Sequence, residues 1–266
     1  VPVNLRVPEG AEQLTDVLRR GGLMPVQATA TAANAGNAPE KLVPGGPVAI
    51  SFITGDMDVS GSGTVTWVNG DEILAFGHPM FGMGETSFPM ATASPVTVVP
   101  SLYSSFRLTS TGKVVGAMTD DHSPAIRGVV GREAPTFPMK VTVEGNLPGE
   151  YNYTVAGHWD WGPFLAALAT SWTVGRWDGG AAPVNYRMET IIRVKDREEP
   201  LTLANEYTGY SVMTPIMDQI LMPASSLMTN QFREMELAGV EVKLSVEEGL
   251  EAALIESVKL LQPEAR

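Results

Sequence analysis

Between Pro47 and about Asn146 the chain breaks into short apolar runs, at 48–52, 64–68, 73–76, 96–99, 105–109, 114–118, 126–130 and 137–143, parted by Gly, Asp, Asn and Pro. Many short strands at near-regular spacing close into a barrel or stack as a sandwich. A barrel or sandwich over residues 47–146 is therefore expected.

The flanks read differently. A strand over 1–7 leads to a short helix over 11–20, where Leu14, Val17 and Leu18 recur at helical spacing and Gly21-Gly22 closes it. Residues 26–46, rich in Ala, Thr, Asn, Pro and Gly without any apolar period, read as a linker, so 1–46 forms an N-terminal segment. Residues 147–266 read as a mixed α+β domain, with strands at 151–155, 184–194, 201–204, 240–246 and 253–260. It also holds a helix over 163–172 with Pro163 near its first turn, and a Met-rich helix over 214–221 that Pro223 bends or breaks. The fold class expected is mainly β, a small barrel or sandwich followed by the α+β domain.

Inside the barrel segment the chain offers one constrained histidine. Residues 64–69 form a strand, Asn69-Gly70-Asp71 supplies turn chemistry, and 72–76 returns as the second arm of a hairpin. Gly77-His78-Pro79 follows at once, with Gly77 free to turn and Pro79 fixed in φ. His78 is thus presented at the end of a sheet, and imidazole is the side chain that takes and returns a proton near neutral pH. A loop histidine can equally do no more than hydrogen-bond a neighbouring carbonyl.

The stretch Gly63-Thr64-Val65-Thr66, the hairpin, and Leu74-Ala75-Phe76-Gly77-His78-Pro79 resemble the histidine region of the stage IV sporulation protein B (SpoIVB) peptidases, chymotrypsin-like serine peptidases. Residues 114–128, Val-Val-Gly-Ala-Met-Thr-Asp-Asp-His-Ser-Pro-Ala-Ile-Arg-Gly, resemble that family's strand, turn, strand segment. The resemblance spans about residues 46–146. It implies that His78 is the general base of a Ser-His-Asp arrangement, and that the chain supplies the histidine barrel of a two-barrel enzyme.

The family's nucleophile lies in a Gly-Met-Ser-Gly-Ser-Pro motif, which this sequence lacks, and its aspartate matches no position here. Ser60-Gly61-Ser62-Gly63 leads into the strand before the histidine and reads as the start of that strand or a bulge. Three explanations stay open. The serine sits on a part of the polypeptide outside this chain; the module is catalytically inactive, a β-rich scaffold or interaction module of an envelope assembly; or Ser101, Ser104 or Ser105 has taken the role. The last run lacks the glycines an oxyanion loop needs. The chain begins at Val1 without initiator methionine or leader and ends in a polar stub, as a segment cut from something longer would.

Charge narrows the partners. Lys+Arg 18 against Asp+Glu 30 gives a net charge of −12, which opposes nucleic acid and anionic lipid. No apolar stretch approaches the roughly 20 residues that span a bilayer. The partners expected are the rest of the parent polypeptide and a protein or peptide substrate, in an extracytoplasmic setting. No cofactor and no metal are expected, since His78, His122 and His158 are isolated and cysteine is absent. His122, after Asp120 and Asp121 in a turn, reads as a hydrogen-bonded turn residue whose pKa those carboxylates raise. If 158–161 is extended, His158 and Asp160 share one strand face and Trp159 and Trp161 the other, though tryptophans packed beneath the following helix suit the stretch better.

Overall fold

The computed structural model describes residues 2–4, 19, 24–26, 41–99, 106–145, 148–175, 184–249 and 256–258. Among these residues thirteen strands are hydrogen-bonded into one sheet. In chain order they are β1 (Pro2–Asn4), β2 (Met24–Val26), β3 (Pro47–Gly55), β4 (Val59–Asn69), β5 (Glu72–Ala75), β6 (Gly84–Val99) and β7 (Phe106–His122). There follow β8 (Ala125–Val130), β9 (Thr136–Gly145), β10 (Gly149–Ala156), β11 (Val184–Val194), β12 (Leu201–Gly209) and β13 (Leu237–Glu248).

Six of these close on themselves. The sheet order β3-β6-β7-β8-β5-β4, together with the β3–β4 pairing, makes a ring of antiparallel strands spanning residues 47–130. A closed ring has no free edge, which suits strands too short to stand alone. The expected mainly β fold, with its barrel and its following α+β part, is what the chain adopts. Inside the ring, Val48, Ile50, Phe52, Val65, Ile73, Met90, Met118 and Ile126 are buried in one apolar cluster.

The sheet leaves the ring through β3. Its residues Val48, Ala49 and Ile50 pair with β6, whereas Ile53, Thr54 and Gly55 pair with β10. Beyond β10 the order continues β9-β13-β11-β12, with β13 parallel to β9 and the other pairs antiparallel. The strand expected at 137–143 is β9, and it belongs to this outer part of the sheet rather than to the ring.

Helix α1 (Trp161–Gly175) packs on this part. It is buried nearly all round, as its unbroken small and apolar run demands. Thr170, Ser171 and Thr173 satisfy their hydroxyls on the carbonyls of Ala166, Ala167 and Ala169. The Met-rich segment forms α2 (Met213–Ile216) and α3 (Met222–Met228), joined by a π-turn at Met217–Leu221. Pro223 therefore neither ends nor breaks the helix. The turn before it widens, so that the Met222 amide bonds the Met217 carbonyl, and the proline falls in the first turn of α3, where its missing donor costs little.

Two further expectations change. Residues 106–109 and 114–118 belong to one long strand, β7, and the run at 96–99 is only the end of β6. Pro89 and Pro95 made the earlier part of β6 read as loop. In the structure they lie outside Met90 and Ala91, where β6 pairs on both sides, and each faces a partner on β7 alone. Of the helix expected over 11–20 only Arg19 is described, and it is helical. Of the strand expected over 253–260 only 256–258 are described, without regular structure.

Candidate functional site

The hairpin that precedes His78 forms as its turn residues require. Asn69 pairs with Glu72 across a two-residue loop, and Gly70 takes φ +59. At the far end of β5 the chain turns through two successive left-handed residues, Phe76 (φ 72) and Gly77 (φ 72). For a phenylalanine this conformation is strained and needs support. Support comes from the Phe76 amide, 2.9 Å from the Thr64 carbonyl, and from the ring lying over Gly63, where a Cβ would come within 2.0 Å of it. His78 emerges from this turn exposed at the rim of the ring of strands.

Its Nδ1 lies 2.8 Å from the Pro79 carbonyl oxygen. A carbonyl only accepts, so Nδ1 carries the proton, and in the neutral ring Nε2 keeps its lone pair. The Phe76 ring flanks the imidazole at 5.8 Å between centroids. Among the described residues no hydroxyl and no carboxylate lies within hydrogen-bond distance of the ring.

The loop that follows is held from beneath. Asp121, fully buried at the end of β7, accepts from Met80 N at 2.7 Å on Oδ1, and from Phe81 N at 2.7, Gly82 N at 2.8 and Met83 N at 3.3 Å on Oδ2. Gly82 (φ 74) lets the loop curl around the carboxylate. In the sequence Asp121 is the second of two turn acids. A register shift between Met118 and Asp120 rotates β7 so that Asp121 faces in, while Asp120 stays outside with Arg127. That bulge has no signature in the residue types, which is why sequence reasoning missed Asp121.

Phe81 carries the loop into an aromatic cluster. Its ring is 4.5 Å from Trp161 and 6.0 Å from Phe52, and Phe52 and Phe88 lie 5.4 Å apart. His158 stacks on Phe88 at 4.7 Å and 10°. Its Nδ1 accepts from the amides of Asp160 and Trp161, both at 3.3 Å, so the imidazole caps α1 in the place a Ser or Asp would take. Burial lowers its pKa, opposed by the nearby Asp160. Residues 157–160 are therefore a cap rather than a strand. Neither tryptophan packs beneath the helix as expected: Trp161 is its first residue and lies against Phe52 and Phe81, and Trp159 is 59% exposed.

His122 is exposed, its Nε2 4.0 Å from Asp120 Oδ1. Asp120 itself is held below the usual carboxylate range, first by the Thr119 hydroxyl, against slight burial, and then by Arg127. Arg127 also pairs with Glu72. Ser60 and Ser62 lie inside β4, where Ser60 is buried and shares a 2.7 Å hydrogen bond with Thr111. Thr111 in turn donates to Asp58 at 3.3 Å, and burial pushes Asp58 up to about 6 against those hydrogen bonds. Asp58 was also missed, because its neighbours arrive from β7 across the fold. Ser101, Ser104 and Ser105 lie outside the described residues.

No group of three or more metal-ligating side chains occurs among the described residues, and no described helix is long and apolar enough to cross a membrane. A groove of about 500 Å3 opens where β3 parts from β6, lined by Phe52, Ile53, Pro89, Val114, Arg132 and Thr154 among others. No protein-family model, curated protein or solved structure matches this chain.

Proposed function

We propose that this chain supplies the general-base histidine of a serine endopeptidase of the SpoIVB type, with the nucleophilic serine coming from polypeptide outside it. The observation that carries the reading is the exposed His78 ring at the rim of the six-stranded ring, with Nδ1 engaged and Nε2 free. A serine hydroxyl brought to Nε2 would lose its proton there as its oxygen attacks a peptide carbonyl. The resulting imidazolium would be steadied by the Pro79 carbonyl and would return the proton to the departing amine. The oxyanion would be met by backbone amides of the serine loop. The rest of the parent polypeptide is then the essential partner, a protein or peptide the substrate, and an extracytoplasmic compartment the place of action.

Cleavage of an unstructured protein substrate by the full-length parent tests this. His78→Ala should lower the rate by about a hundredfold or more, the usual contribution of a positioned base. Cleavage undiminished by the substitution would reject the catalytic role.

The second reading is a catalytically inactive β-rich scaffold or interaction module. It is favoured by the Nδ1 bond to Pro79, since a ring satisfied by its own loop can also be purely structural. On that reading His78→Ala alters neither cleavage nor partner binding.

A further inference from the structure

We propose that Asp121 is the positioning residue of the His78 site, and that it acts on the imidazole through a single peptide plane. Its carboxylate makes no hydrogen bond to the ring. It binds the Met80 amide, and the carbonyl of that same peptide unit is the Pro79 oxygen that His78 Nδ1 engages. The unit is trans and planar, so its N–H and C=O point to opposite sides. Aiming the N–H inward at Asp121 aims the C=O outward at His78.

The remaining contacts fix that plane against rotation. Phe81, Gly82 and Met83 direct their amides to Oδ2, which makes a nest of four consecutive donors around one carboxylate. No lysine or arginine among the described residues pairs with Asp121, and the described groups that meet its charge are backbone dipoles. Without it the donors of a part-buried loop would be left unmet, a penalty for each that stays out of water. Asn is a poor substitute, because one of its two heads is a donor facing donors.

The consequence is chemical. Whichever nitrogen donates decides where the lone pair lies. By holding the Pro79 carbonyl beside Nδ1, Asp121 selects the Nδ1–H tautomer, the one free histidine populates less in water, and leaves Nε2 as the outward base. An aspartate that binds the ring directly would do this in a familiar triad; here the work passes through the backbone. The catalytic importance of the tautomer rests on the proposed function, but its existence does not.

Long-range 15N–1H correlation spectra of the neutral His78 ring in this chain test the proposal, read beside hydrogen exchange of the Met80–Met83 amides. The wild type should show the Nδ1–H form; an Nε2–H majority there would overturn the proposal without any variant. Asp121→Asn should move the ring towards Nε2–H and speed exchange at those amides roughly tenfold or more. If it does not fold, Asp121→Glu, which keeps the charge but displaces it, should move both readings the same way. A folded variant that keeps the Nδ1–H tautomer and the wild-type protection would also overturn the proposal. Should the tautomer behave as stated while His78→Ala leaves cleavage intact, the peptidase reading fails and the positioning role stands.

Discussion

Among the described residues, burial is the largest cause of the shifted titration of Asp58 and of His158, and they answer pH in opposite directions. Asp58 ionises near 3.8 when unfolded and at about 6 in the fold, so its stabilising contribution is full below 3.8 and is lost as pH rises through about 6. Asp58→Asn keeps an oxygen for the Thr111 hydroxyl and removes the charge. It should be more stable than the wild type by on the order of 2 kcal/mol at pH 8, with the gap closing near pH 4. Urea unfolding at the two pH values checks this, and an equal difference at both would contradict it. His158 protonates near 6.5 when unfolded and lower in the fold, so its contribution is full above 6.5 and is lost as pH falls through the lower value. A protonated Nδ1 would also face the two amides it now accepts from. His158→Phe should flatten the loss of stability just below pH 6.5 while costing about 1 kcal/mol for the missing cap; an unaltered acid limb in the urea midpoints would refute the assignment. His78 was legible at this scale because its neighbours in sequence are also its partners in space. Asp121 and Asp58 were not, because a bulge turns one inward and a distant strand buries the other.

The barrel strands approach closely where glycine replaces a side chain, and two of these places differ in kind. A Cβ on Gly116 would lie 2.2 Å from the Val129 carbonyl, a backbone atom of the neighbouring β8. On Gly128 it would meet the Met90 sulfur at 2.4 Å, the far end of a flexible side chain. Gly116→Ala should therefore cost about 3 kcal/mol and Gly128→Ala about 1 kcal/mol, within the range for overpacked cores. Thermal or urea denaturation that ranks them in the reverse order would contradict the packing described. Most strands were readable from alternation and turn residues, and the Gly70 hairpin from its turn alone. The first part of β6 was hidden by Pro89 and Pro95, whose tolerance depends on which neighbours bond the strand at each residue. Helix α1 was readable in its apolar run and Pro163 but not in its cap, since histidine is an unusual residue for that post.

At the scale of the molecule, alternation suggests a barrel but does not say which strands meet; closure comes from β3 pairing with β4 on one side and β6 on the other. Because β3 goes on to pair with β10, and Phe52, Phe81 and Phe88 gather around Trp161, the ring and the α+β part share a sheet and an apolar core. Calorimetry should show one cooperative transition, and two well-separated ones would contradict that sharing. Trp161→Ala should cost about 3–5 kcal/mol. It should also raise exchange at the Met80–Met83 amides through the loss of Phe81's support, whereas protection equal to wild type there would deny the link. The proposed chemistry needs an imidazole that takes a proton from a hydroxyl delivered to it. The most direct measurement is the rate at which a serine-reactive phosphonate labels the full-length parent, with and without added imidazole. His78→Ala should slow labelling by about a hundredfold or more, and free imidazole should restore much of it. Labelling absent from the wild type, or equally fast in His78→Ala, would contradict the claim.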